Sequence, residues 1–155
     1  MDPRLSRPRR FFFSRLALCL TVLALASCAV IPPPATPEEA LARTPVSDSN
    51  AVVALAEAAR ADTDGGNFIK AAAALERALR IEPRNPRLWH ELAQLKLKEG
   101  DYTQATNMAA RSNTWAGTDK TLRAANWRLI GEAKRSLGDE TGAHAAFDKA
   151  DALTR

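Results

Sequence analysis

NPRLWHELAQLKLKEGDYTQA, residues 85 to 105, decides the fold. Asn85 offers a side-chain oxygen to the free amides of a helix start, and Pro86 fits the first helical position, where its missing N–H costs nothing. Trp89, Leu92, Ala93 and Leu97 then recur at the 3.6-residue period of one helix face. Gly100 can take the left-handed backbone that ends a helix, and Asp101 can cap the next one. The stretch predicts a helix, a tight turn and a second helix.

Moving outward, the same device recurs. GNFIKAAAALERALRIEP (66–83), GDYTQATNMAARSNTWAG (100–117) and GDETGAHAAFDKADALTR (138–155) align on their opening glycines, at spacings of 34 and 38 residues. Trp89-x-x-Leu92-Ala93 and Trp127-x-x-Ile130-Gly131 each place the tryptophan 11 residues before its glycine. Upstream, Val52, Val53, Leu55, Ala56 and Ala59 form a further helical stripe. Three helix–turn–helix units follow. No single unit can bury its apolar face, so the units must stack. The four extra residues before the third unit equal about one helical turn. They are expected to lengthen the start of its first helix near Thr118-Asp119, with a longer loop as the alternative.

The 34-residue period and its pattern resemble the tetratricopeptide repeat family. Leu55, Ala59, Phe68, Ala71, Leu75, Ala78 and Pro83 match that family's preferred positions in a first repeat, 52–85. Trp89, Leu92, Ala93, Tyr102 and Ala105 match in a second, 86–119. Trp127, Ile130, Gly131, Ala143, Phe147 and Ala150 match in a third, 124–155. Ser112, Gly117 and Glu140 depart from the pattern. The resemblance implies an all-α helical solenoid of about three repeats over residues 50–155.

Ahead of it lies a different kind of sequence. Residues 1–15 carry five arginines, and 16–26 (LALCLTVLALA) form an apolar run of 11. That run is too short to span a bilayer, which takes about 20 helical residues. A basic stretch, a short apolar run and small residues at its end describe an export signal. Leu25-Ala26-Ser27-Cys28 resembles the lipobox of bacterial lipoproteins at all four positions. The resemblance implies signal removal over 1–27, with cleavage between Ser27 and Cys28, and acylation of Cys28. Ala29, by the enterobacterial rule, implies the outer membrane. Residues 28–49 then carry the lipidated cysteine and a linker holding five of the chain's nine prolines. No helical or strand period is expected there. As extended polyproline it would reach roughly 60 Å, and as a flexible coil about 25 Å.

The totals bound the function. The chain of 155 residues carries a net charge of +4, but five arginines and one acid precede Cys28. The remainder is neutral in total, so the basicity is no argument for nucleic-acid binding. The two cysteines, Cys19 and Cys28, both precede the repeats, which excludes a disulfide framework there. No HExxH, CxxC, GxSxG or phosphate-loop pattern occurs, and the two histidines, His90 and His144, fall in different repeats. The sequence calls for no enzyme activity, no metal and no cofactor.

Arrays of this family usually bind peptides or helices in a concave groove lined by the first helix of each repeat. The inward positions fall on Arg60, Arg87, His90, Gln94, Arg128, Glu132 and Arg135. Four arginines against one acid point to an acidic segment as ligand, since guanidinium forks grip carboxylates through two hydrogen bonds. The expectation is an outer-membrane-anchored adaptor for a protein or peptide partner on the periplasmic side, serving assembly or scaffolding in pilus or cell-wall machinery. The alternatives are a cell-wall-binding or cell-wall-modifying factor, and a structural homo-oligomer built on an apolar end formed by Ala145, Ala146, Ala152 and Leu153.

Overall fold

In the computed structural model residues 35–155 can be described. Cys28, the expected cleavage point at Ser27 and the first part of the linker lie outside the described residues. Residues 35–155 form one compact unit of seven helices: α1 (Pro37–Ala42), α2 (Asn50–Asp64), α3 (Phe68–Ile81), α4 (Pro86–Glu99), α5 (Tyr102–Trp115), α6 (Lys120–Ser136) and α7 (Glu140–Thr154). Helices α2/α3, α4/α5 and α6/α7 are the three antiparallel pairs, and each pair packs on the next.

The boundaries follow from local chemistry. Asn85 Oδ1 accepts from the backbone N–H groups of Arg87 (2.9 Å) and Leu88 (3.3 Å). Asp101, Asp119 and Asp139 cap α5, α6 and α7 in the same way, accepting from Gln104, Leu122 and Gly142. Gly100 closes α4 at φ +84°, a region that a side chain would strain. Helix α6 has 17 residues against 14 for α4, and Asp119 is its cap. The four extra residues therefore lengthen the start of this helix and do not form a longer loop.

Two apolar clusters hold the array together. Val52, Ala56, Ala59, Ala71, Leu75, Ala78, Leu79, Leu88, Leu92 and Leu95 fill the space between α2, α3 and α4. Ala93, Ala105, Ala109, Leu129, Ile130, Ala133 and Ala146 bury α4 through α7 against one another. Alanine dominates, because small side chains let the helix backbones approach. Each fully buried leucine contributes about 2 kcal/mol. Gly131 marks one such close approach between α6 and α7: a Cβ there would lie 2.7 Å from Phe147 Cδ1.

Two expectations need correction. Residues 36–46 are not an unstructured spacer. Thr36-Pro37-Glu38-Glu39 forms a complete capping box that starts α1: Glu39 N–H donates to Thr36 Oγ1 (3.2 Å), and Thr36 N–H donates to Glu39 Oε2 (2.9 Å). Pro37, Leu41 and Val46 are buried against the repeats. The proline density that argued against periodic structure instead supplies the first turn of this helix. The expected apolar end is also smaller than the sequence implied. Ala146 is buried in the core, and Ala145 and Ala152 are exposed while Leu153 is half-buried.

Candidate functional site: a groove and the segment lying in it

The first helices α2 and α4 leave a cleft of about 370 Å³, roofed on one side by α1. Arg60, Thr63 and Asp64 enter from α2, and Arg87, His90, Glu91, Gln94 and Lys98 from α4. Glu38, Leu41 and Ala42 enter from α1. Four of the seven expected groove residues, Arg60, Arg87, His90 and Gln94, line this cleft.

The other three do not join that lining. Arg128 reaches toward Asp151 of α7 (3.8 Å), and Arg135 lies 5.6 Å over the Phe147 ring. Both side chains turn to the neighbouring helix of their own repeat. Glu132 lies within electrostatic reach of Glu38 and of both Arg135 and Arg128. Partial desolvation pushes its carboxyl above the usual range, and the Glu38 charge pushes it further.

The cleft residues are also committed to one another. Arg60 Nε meets both oxygens of Glu91 at 3.1 Å, and Nη2 meets Oε1 at 2.5 Å. That bond to Glu91 raises the pKa of Arg60 further. Lys98 pairs with Asp64 (2.9 Å). Arg87 holds the end of α1: its Nη1 donates to Thr44 Oγ1 (2.6 Å), and its Nη2 donates to the carbonyls of Leu41 (2.5 Å) and Thr44 (3.0 Å). Burial lowers its pKa. The four arginines thus do not converge on one acidic ligand; each already has a neighbour within the chain.

His90 is set by a polar chain the sequence reading missed. Ser112 Oγ donates to the Pro86 carbonyl (2.7 Å), so its oxygen accepts from Asn126 Nδ2 (2.7 Å). The other hydrogen of that amide goes to Asn113 Oδ1 (3.0 Å). Asn126 Oδ1 is then an acceptor, and His90 Nδ1 must be the N–H that donates to it at 2.7 Å. Three helices, α4, α5 and α6, are joined by this chain. His90 is 5% exposed, and burial lowers its pKa, opposed by the bond to Asn126. It is a neutral member of the structure. Ser112 stands out in the sequence only as a departure from the repeat pattern and Asn126 not at all, because a polar residue on a helix face reads as solvated unless its partners are known.

The tryptophans take three different positions. Trp89 donates its Nε1–H to the Pro83 carbonyl (3.0 Å) under the guanidinium of Arg111 (4.3 Å). Trp127 packs on the second cluster beneath Lys149 (4.2 Å). Trp115 is 40% exposed, with Arg84 5.1 Å above its ring.

The tetratricopeptide repeat family matches residues 62–125. The globular C-terminal domain of P. aeruginosa LpoP superposes with a TM-score of 0.66 at 38% identity, covering 68% of this chain and 99% of that one. No curated protein matches the sequence. With near-complete coverage of that domain at this identity, the chain belongs to the tetratricopeptide repeat family. Its repeats are a protein-interaction module.

Proposed function

We infer that the protein is an acylated adaptor of the bacterial envelope. It is held at the periplasmic face of the outer membrane through Cys28 and binds a protein or peptide partner in the cleft between α2 and α4. The observation that carries the binding role is the cleft itself: a groove on the inner side of a repeat array, walled on one side by a helical segment of the chain. The anchor rests on Leu25-Ala26-Ser27-Cys28 after a short apolar run, and several acyl chains give a durable hold, at about 0.8 kcal/mol per buried CH₂. Assembly or scaffolding of pilus or cell-wall machinery is the role this arrangement serves. The outlying linker, residues 29–34 with three prolines, gives the array reach from the membrane.

Two measurements test this reading. Metabolic labelling with a fatty acid should mark the wild-type chain and leave Cys28→Ser unmarked; equal labelling removes the anchor. Affinity capture from solubilised envelopes should recover a partner with wild type and lose it with Gln94→Arg, which puts a large cation into the cleft. Equal recovery removes the groove.

A further inference from the structure

The segment that walls the cleft on one side, packed on α6 and tied to α4 through Arg87, has the features of a ligand. It enters as a short capped helix, drops Leu41 into a pocket formed by Ala116, Leu122 and Ala125, and presents its last carbonyls to Arg87. Val46 then joins the main core, and Asn85 Nδ2 grips the Val46 carbonyl (2.9 Å). An apolar anchor seated in a pocket is how a helical peptide docks in a groove, and here Arg87 at the helix end and Asn85 at the tail add polar holds.

The fit has two faults. Glu38 on α1 comes within electrostatic reach of Glu132 on α6, a like-charge repulsion that Arg135 and Arg128 offset in part. Arg87 Nε is buried with no hydrogen-bond partner among the described residues. Both faults lie where α1 meets the groove, and an occupant of different sequence could correct both.

We propose that residues 36–46 are a built-in, imperfect ligand of the groove, and that the external partner is a helical segment replacing it. That segment carries the same leucine anchor, a neutral or basic residue at the place of Glu38, and a helix end that satisfies Arg87. This inference rests on the groove reading above and specifies the partner's chemistry. It also sets a threshold. The built-in segment is joined directly to α2 and acts at an effective concentration in the millimolar range, so a partner must bind well enough to overcome it. The partner's basic residue would gain from Glu132 what Glu38 loses there.

The probe is a fluorescent peptide of residues 35–47 with Lys in place of Glu38, titrated with the full chain and followed by anisotropy. Leu41→Asp should unseat the built-in segment. This variant is expected to bind the peptide at least about 10-fold more tightly than wild type. The peptide with the native Glu38 should bind it more weakly than the Lys form. Equal binding by wild type and Leu41→Asp, or no binding by Leu41→Asp at unchanged helix content, overturns the proposal. Amide exchange on the wild type is a second measurement that needs no variant. Saturating Lys-bearing peptide should speed exchange at Ala40 and Thr44, whose amides bond within the segment (3.0 and 3.1 Å to Thr36 and Leu41 carbonyls); unchanged exchange overturns displacement. If these arms fail while Gln94→Arg still loses an envelope partner, the groove reading stands and only the built-in ligand falls.

Discussion

Buried His90 makes stability depend on pH in a direction that can be worked out. Its folded pKa is lowered, chiefly by burial, so the folded state resists a proton that the unfolded chain accepts. Stability is therefore fully present above about pH 6.5, the unfolded imidazole value, and falls below it by at most about 1.4 kcal/mol per pH unit. Between pH 7 and pH 5 the loss is at most about 2 kcal/mol. For a domain of this size about 1 kcal/mol moves the midpoint by roughly 4 °C, so the imidazole should lower Tm by up to roughly 8 °C. Around the ring stand Glu91, Glu38 and Arg87, with Asn126 as its hydrogen-bond partner. Glu132 acts in the opposite sense: its raised pKa makes the folded state take up a proton more readily as pH falls. Asp139, with a lowered pKa, loses its contribution only as pH falls below the carboxylate range. Both remain in a His90→Gln variant, so the difference between the two proteins isolates the imidazole. Thermal unfolding followed by circular dichroism at pH 7 and pH 5 measures it. Wild type should lose several degrees more than His90→Gln. Equal losses refute the claim that this ring is buried and neutral.

Other substitutions test the packing and polar contacts. Gly131→Ala pushes a methyl group into the Phe147 ring and should cost about 1–3 kcal/mol in urea unfolding, with Gly131→Ala/Phe147→Leu recovering part of the loss. Asn126→Ala strands His90 Nδ1–H and leaves Ser112 without its donor. A loss of about 1–3 kcal/mol is expected, and a loss below a few tenths would contradict the polar chain. Asp119→Ala removes the cap of α6 and should cost about 1 kcal/mol, with faster exchange of the Leu122 amide.

The repeat array was legible in the sequence because its signals are local and periodic. Asn85, Asp101, Asp119 and Asp139 sit one residue before their helices, and the apolar stripes between them have helical spacing. The extra turn of α6 could be counted from the glycine spacings. Groove residues were partly legible: family positions located Arg60, Arg87, His90 and Gln94, but not what each side chain would do. Arg128 and Arg135 were drawn to Asp151 and Phe147 of their own repeat, a choice set by long flexible side chains meeting nearby partners. The segment 36–46 had a readable signal, Thr36-x-x-Glu39 with a proline between, outweighed by the proline density around it. That Leu41 would pack on Ala116, Leu122 and Ala125 depends on contacts some 80 residues apart, which no local pattern encodes.

The central claim is that the cleft between α2 and α4 is where the partner binds. A photoreactive residue placed at Gln94, inside the cleft, and another at Glu76, on α3 outside the cleft lining, address it directly in living envelopes. The account predicts one discrete crosslinked species from position 94 and none of that size from position 76. A crosslink from position 76 alone, or the same species from both, would contradict it.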